Sequence, residues 1–364
     1  MKRREFLKQG LTVSAGVVLG GIPKVSRSAG ADETAKWRTF EVITRVEVTE
    51  PVGAVRVWLP VPLTSNTDYF KREPDTWTGN FKAARSIQYD KYGTGLVFAE
   101  WKPGENAPLL ELKSRFMTRD RQVDLSKKPD SSIREDKAVL DYFRKPSKLI
   151  RTDGIVGTTS RGIVAGRKSD VDRARAIYEW IVENTFRDPK VKGCGIGDIS
   201  TMLQTGYLGG KCADLNALYV GLARAAGLPA RDVYGIRCAN STEFKSLGKA
   251  EDITGAQHCR AEVYLTGYGW LPVDPADVRK VVLEENQPEK LPLDDPKVKK
   301  ARAKLFGAWE MNWLPYNNAH DLKLPQSNGP EIGYLMYPQT ETANGRKDSL
   351  DPKNFSYTIK AKEV

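Results

Sequence analysis

Apolar and polar positions alternate through the first third of the chain. Phe40, Val42, Thr44, Val46 and Val48 interleave with Glu41, Ile43, Arg45 and Glu47. This is the period of two that half-buries a β-strand. Val55, Val57 and Leu59 repeat the pattern until Pro60 and Pro62 end it. Further short strands are predicted at Ser86–Tyr89, Leu96–Trp101 and Leu109–Thr118, with Gly and Pro between them. Short strands at this spacing predict an antiparallel β-sandwich over residues 37–125. The polar stretch Ser126–Ser132, with Pro129 inside it, is the predicted linker.

After the linker the period changes to that of helices. A short helix is predicted over Glu135–Arg144, stopped by Pro146. Ser169 is placed to cap a longer one, with Asp170 and Asp172 in its first turn and Val171, Ala174, Ile177, Tyr178 and Ile181 on one face. A third runs from Cys212 to Ala226. It carries Leu215, Leu218, Tyr219 and Leu222 on one side, and Gly227 and Pro229 follow it. Strands are then predicted at Arg231–Arg237, His258–Leu265 and Trp270–Val273, an α+β order. The remainder holds a basic helix over Lys297–Phe306 and β-like pieces near Tyr334–Tyr337 and Phe355–Ile359. The division is thus a sandwich (37–125), an α+β core (133–280) and a C-terminal extension (281–364).

Composition narrows the class. With 40% apolar and 28% charged residues in 364, the chain can bury a large core. Four Cys are too few for a disulfide scaffold. Two His, with no CxxC or HExxH, leave no zinc site to expect, and no cofactor is expected. The net charge of +11 is partly local: residues 1–31 hold six basic groups against one acid, leaving +6 on the rest. That residue of charge shows no long basic run, so nucleic acid is not an expected partner. No membrane-spanning apolar stretch is present. Residues 1–31 read as an export signal. Arg3-Arg4 precedes Phe6-Leu7, an apolar and small segment runs from Gly10 to Ile22, and Ala29-Gly30-Ala31 closes it. The paired arginines resemble the twin-arginine signal, which implies a periplasmic or secreted protein.

The chemistry points to Cys212. Gly209-Gly210-Lys211 leads into a helix that begins at this thiol. A helix N-terminus offers unpaired N–H groups and the positive end of the dipole, and both favour the thiolate. His258 opens a predicted strand 46 residues later, and Asp274 follows after 16 more. On paired strands the last two could lie together with the His facing the helix start, a nucleophile–base–orienter set. Asp277 is the alternative orienter. The Cys212 backbone N–H should donate to an oxyanion, with Gln204 or Tyr207 as second donors. By strand alternation, a His258 that faces Cys212 would turn Cys259 away from it. Cys194, Cys238 and Cys259 are expected as free thiols, His320 as a surface residue and Gly193–Asp198 as a loop beside the active helix.

Four segments taken together resemble the transglutaminase-like superfamily. They are Gly-Lys-Cys-Ala-Asp (210–214), Leu-Ala-Arg-Ala-Ala-Gly-Leu-Pro-Ala-Arg (222–231), Gln-His-Cys-Arg-Ala-Glu-Val-Tyr (257–264) and Gly-Trp-Leu-Pro-Val-Asp-Pro (269–275). The resemblance covers residues 135–280 and implies a papain-like core, its Cys-bearing helix packed on an antiparallel sheet. It implies Cys212, His258 and Asp274 as the catalytic residues and acyl transfer at a carboxamide or peptide bond. The acceptor, amine or water, stays open. Protein, peptide and cell-wall peptide are the expected substrates. The alternative is a catalytically idle binding or assembly module. Many members carry an aromatic residue soon after the His. Cys259 and Arg260 stand there instead, a departure that bears on the substrate channel.

Overall fold

The computed structural model describes residues 35–89, 93–353 and 355–364. The export signal read in residues 1–31 lies outside them. The alternation at the start of the chain is a strand, Arg38–Glu47, with Phe40, Val42, Thr44 and Val46 buried. It pairs antiparallel with Leu109–Thr118 on one side and with Ser356–Glu363 on the other. A second sheet is built from Val55–Pro60 between Gly95–Trp101 and Gln339–Thr342, with Ala83–Gln88 beyond. The inner faces of both sheets meet in one apolar cluster that includes Val46, Val57, Leu59, Val97 and Leu112. Burying each such side chain contributes roughly 1.5–3 kcal/mol.

Residues 281–364, expected as an extension, supply strands to four sheets, one of them the short pair Ala308–Trp309 with Arg121–Gln122. Two complete the sandwich, as above. Trp313–Asn317 pairs with Ala230–Arg237 and so forms an edge of the core sheet. That sheet is antiparallel, in the spatial order Gly269–Val273, Gln257–Leu265, Ala230–Arg237, Trp313–Asn317. Tyr334–Tyr337, expected as a strand, is irregular; the strand begins at Gln339.

The helices are α1 (Lys137–Tyr142), α2 (Gly154–Val164), α3 (Asp170–Asn184), α4 (Ile199–Thr205), α5 (Cys212–Ala225), α6 (Pro275–Glu284) and α7 (Pro296–Lys304). Ser169 caps α3 as expected, accepting a hydrogen bond from the Asp172 N–H at 3.0 Å. α5 is the centre of the core. It packs on the Gln257–Leu265 strand with α2 and α3 against its other sides. Every residue from Cys212 to Arg224 is buried, which explains a helix apolar well beyond one stripe. Its N-terminus is thereby held at the end of the sheet where His258 lies.

Candidate active site

The nucleophile candidate sits on a tightly fastened helix start. Gly209 and Gly210 pair in parallel with Phe186 and Arg187, and Lys211 is the N-cap residue. Asp214, in the first turn, accepts from the Lys211 N–H at 3.0 Å and, through its other oxygen, from the Ile196 and Gly197 N–H groups at 2.9 Å each. The Cys194 carbonyl accepts from the Ala213 N–H at 2.9 Å. The glycine-rich loop 193–198 is thus bound onto the first turn of α5. Gly195 has to be glycine. Its φ is +98°, and a Cβ there would lie 1.9 Å from an Asp214 carboxylate oxygen. The role of Asp214 was not read from the sequence, although it closes the first of the four recognised segments.

His258 and Asp274 come together as expected, and both are buried. His258 Nε2 lies 2.8 Å from Asp274 Oδ2 and 3.3 Å from Asp277 Oδ2. Asp274 sits just past the end of the strand that pairs with the His258 strand, and it caps α6, with Pro275 as the first helical residue. Its two oxygens divide the work: Oδ1 accepts from the Asp277 N–H at 3.1 Å, and Oδ2 holds the imidazole. With Nε2 engaged, Nδ1 is the ring nitrogen left for the thiol. Asn216, one turn after Cys212, donates to Asp274 Oδ1 at 3.1 Å and to the Cys259 carbonyl at 2.9 Å. It ties the nucleophile helix directly to the orienting carboxylate.

The electrostatics favour a charged pair. Hydrogen bonding from the Cys194 thiol, then from the Cys259 thiol, and from His258 holds the Cys212 thiol well below its usual range, against the cost of burial. Burial and Arg237 press the His258 imidazolium down, but Asp277 and Asp274 outweigh them and carry it up to about 9. For Asp277, burial is overcome by Arg237, at 2.6 Å, and by His258, so its carboxyl lies well below the carboxylate range. Burial and Asp277 raise Asp274, with His258 and Arg260 opposing. His258, Asp274 and Asp277 bring donor atoms within 4.8 Å of one another. The Arg237 and Arg260 guanidinium groups already supply positive charge beside the two carboxylates, which suits a hydrogen-bonded triad rather than a cation site.

Several expectations change. Cys259 does not turn away: its thiol reaches Cys212 and belongs to the cluster packed around α5. All four cysteines are free and buried. Arg260 does not reach the substrate channel. It is buried behind Asp274, 3.7 Å from Oδ2, with its guanidinium over Trp309 and Trp313. Gln204 is exposed, and the Tyr207 hydroxyl donates to Asp188 at 2.8 Å; neither lines the cleft at Cys212. His320 is not a surface residue. Its side chain is 12% exposed and lies 3.3 Å from both the Tyr234 hydroxyl and an Asp232 oxygen.

Cys212 and His258 open into a cleft of about 500 Å³. Its walls come from the 187–194 and 248–257 segments and from Tyr337, packed against Gly193 and Cys194, and Tyr357.

The chain is similar to known proteins in sequence and fold. Residues 157–275 match the model of the Transglutaminase-like superfamily, a span that contains Cys212, His258 and Asp274. A Haemophilus influenzae protein described as uncharacterized is 35% identical over 328 residues, covering 86% of this chain and 87% of that one. A solved chain from Cytophaga hutchinsonii, assigned provisionally by its name to the cysteine proteases, superposes with a TM-score of 0.50 at 15% identity. The match covers 90% of this chain and 98% of that one. The periplasmic domain of TgpA from Pseudomonas aeruginosa matches at a TM-score of 0.33 and 13% identity, over 69% of this chain and 93% of its own.

Proposed function

The chain belongs to the transglutaminase-like superfamily, and from that premise we propose that it catalyses thiol-dependent acyl transfer at a carboxamide or peptide bond. The observation that carries the reading is the His258 imidazole, fixed by Asp274 at 2.8 Å, beside a thiol on the first residue of a helix. The Cys212 thiolate attacks the acyl carbon, and the carbonyl oxygen becomes an oxyanion. The first N–H groups of a helix have no intrahelical acceptor, so the Cys212 N–H is free to donate to it. Collapse of the tetrahedral adduct breaks the C–N bond, and His258 gives its proton to the leaving amine. The resulting thioester passes its acyl group to a second amine or to water, with His258 taking that nucleophile's proton. Asp274 touches no reacting atom; it keeps the Nε2 proton in place and supports the imidazolium.

We place this activity in the cell envelope, with residues 1–31 as the export signal and a protein, peptide or cell-wall peptide as substrate. The deciding measurement is alkylation of Cys212 at about pH 6, where an ordinary thiol is mostly protonated. Rapid labelling there, lost in Cys212→Ala with the fold retained, together with release of amine from a glutamine peptide, is the expected result. A Cys212 no more reactive than free cysteine overturns the reading.

A further inference from the structure

The walls of the cleft carry one sign of charge. Arg187, Lys211, Arg237, Lys249 and Lys280 line it together with His258, and no Asp or Glu does. Some of these cations have partners behind the wall. Arg237 is matched by Asp277, while Arg187 and Lys280 share one carboxylate, Glu284. Lys211 and Lys249 have no acidic group within 4.0 Å among the described residues; they act only at longer range on Asp188 and Asp252. The counted anions, including the Cys212 thiolate, therefore leave the cleft positively charged. Such an excess in a concave, low-dielectric site concentrates oppositely charged ligands.

We propose, resting on the acyl-transfer reading, that the acyl donor is anionic: a peptide bearing a carboxylate close to the carbonyl that Cys212 attacks, received by Lys211, Lys249 and Lys280. Tyr337 and Tyr357, which also line the cleft, give the apolar part of such a peptide a surface to lie on. Burial, with Arg237 adding to it, brings the Lys280 ammonium down to about 8, so a carboxylate bound beside it would favour its charged form. The departure from an aromatic residue after the catalytic His does not account for this specificity, because Arg260 faces the other way. The recognising groups come from the segments around residues 187, 211, 249 and 280.

The test uses two reagents of nearly equal size, iodoacetate and iodoacetamide, on the full-length protein at low salt. The ratio of their second-order rates at Cys212 reads the charge felt by an incoming anion. His258 contributes equally in all variants with the triad intact, so the change on substitution isolates the lysines. Lys249→Glu is expected to lower the iodoacetate-to-iodoacetamide ratio by about 3- to 10-fold, Lys249→Gln by less, and added salt should lower the wild-type ratio as it screens the wall. The iodoacetamide rate should stay within about twofold, a bound on how far a neutral reagent senses one surface charge. A ratio unmoved by Lys249→Glu, Lys280→Gln and salt overturns the proposal while leaving the thiol's reactivity intact. A Cys212 inert to both reagents removes the acyl-transfer reading itself, and this proposal with it. Glutamine peptides flanked by Glu should then exceed those flanked by Lys in kcat/KM, chiefly through KM. A second pair, with a free or an amidated C-terminus, separates a side-chain carboxylate from a terminal one. Equal kcat/KM across both pairs also overturns the proposal.

Discussion

Oδ2 of Asp277 lies 3.3 Å from Nε2 of His258, the nitrogen that Asp274 already engages. The imidazolium is therefore held by two carboxylates, one of them fixed as an anion by Arg237. Asp277→Asn removes one negative charge without removing the 2.8 Å contact to Asp274. The alkaline limb of Cys212 alkylation, set near 9 by His258, should move down in this variant. Asp274→Asn should lose at least about tenfold more rate, since it breaks the bond that orients the ring. A limb that stays in place in Asp277→Asn would show that this second carboxylate does not act on the histidine.

The same shift has a consequence for stability, and its sign is fixed. The folded-state His258 pKa stands above its unfolded value of about 6.5. The stabilisation it represents is complete below about 6.5 and is lost as pH rises through about 9. Thermal unfolding of wild type against His258→Gln across that window should show the difference in Tm narrowing as pH rises. A constant difference would contradict the assignment of charge.

Cys194→Ala tests the sulfur cluster. The single proton of the Cys194 thiol is shared between the Gln257 carbonyl, at 3.3 Å, and the Cys212 sulfur, so removing this thiol should raise the Cys212 pKa and move the acid limb of alkylation up. A weak S–H donor is worth under about 1 kcal/mol, so the rate at pH 6 should fall by roughly 2- to 5-fold. Cys194→Ser, which restores an O–H donor, should recover part of it. An acid limb identical in all three proteins would show that the Cys194 thiol does not reach the nucleophile.

Gly195→Ala tests the clamp between the glycine loop and α5. A side chain at φ +98° meets the Asp214 carboxylate, at a cost of about 1–3 kcal/mol. Asp214→Ala leaves three backbone N–H groups without their acceptor, and buried unpaired donors cost about 1–3 kcal/mol each. Both variants should unfold earlier in urea and label more slowly at Cys212. Unchanged stability in Asp214→Ala would mean that the loop holds its shape without this carboxylate.

Export is tested at the first residues. Arg3→Lys combined with Arg4→Lys keeps the charge but removes both guanidinium groups, which ammonium does not replace. Loss of mature protein from the periplasm is expected. Undiminished export would rule out the twin-arginine route.

Much of the site could be read before any coordinates, because local pattern carried it. The 14-residue α5 begins at the predicted Cys212. Gly269–Val273 ends one residue before Asp274, and Leu109–Thr118 has its predicted bounds. Asp274 reads from the sequence as an orienter; capping α6 and holding His258 turn out to be simultaneous tasks of its two oxygens. What escaped depends on contacts distant in sequence. Nothing local to Arg237 announces Asp277, 40 residues on. Asn216 reads as one more polar residue in a helix until Asp274 arrives beside it. Alternation turns Cys259 away from Cys212 because it describes a strand's two faces but not which helix packs on them. The pairing of Ser356–Glu363 with Arg38–Glu47 likewise has no local signature.

That pairing bears on how the chain comes into being. Phe40 opposes Glu363, so one side of the Arg38–Glu47 strand waits for a segment far along the chain to be synthesised. Until then the Arg38–Glu47 strand has an unfilled side on the ribosome, and Tyr357, part of the cleft wall, is not yet made. Contacts this far apart in sequence fold slowly. A thiolate with its pocket assembled thus requires the Ser356–Glu363 strand to be in place, and a product cut before Tyr357 is left without a complete wall at the site.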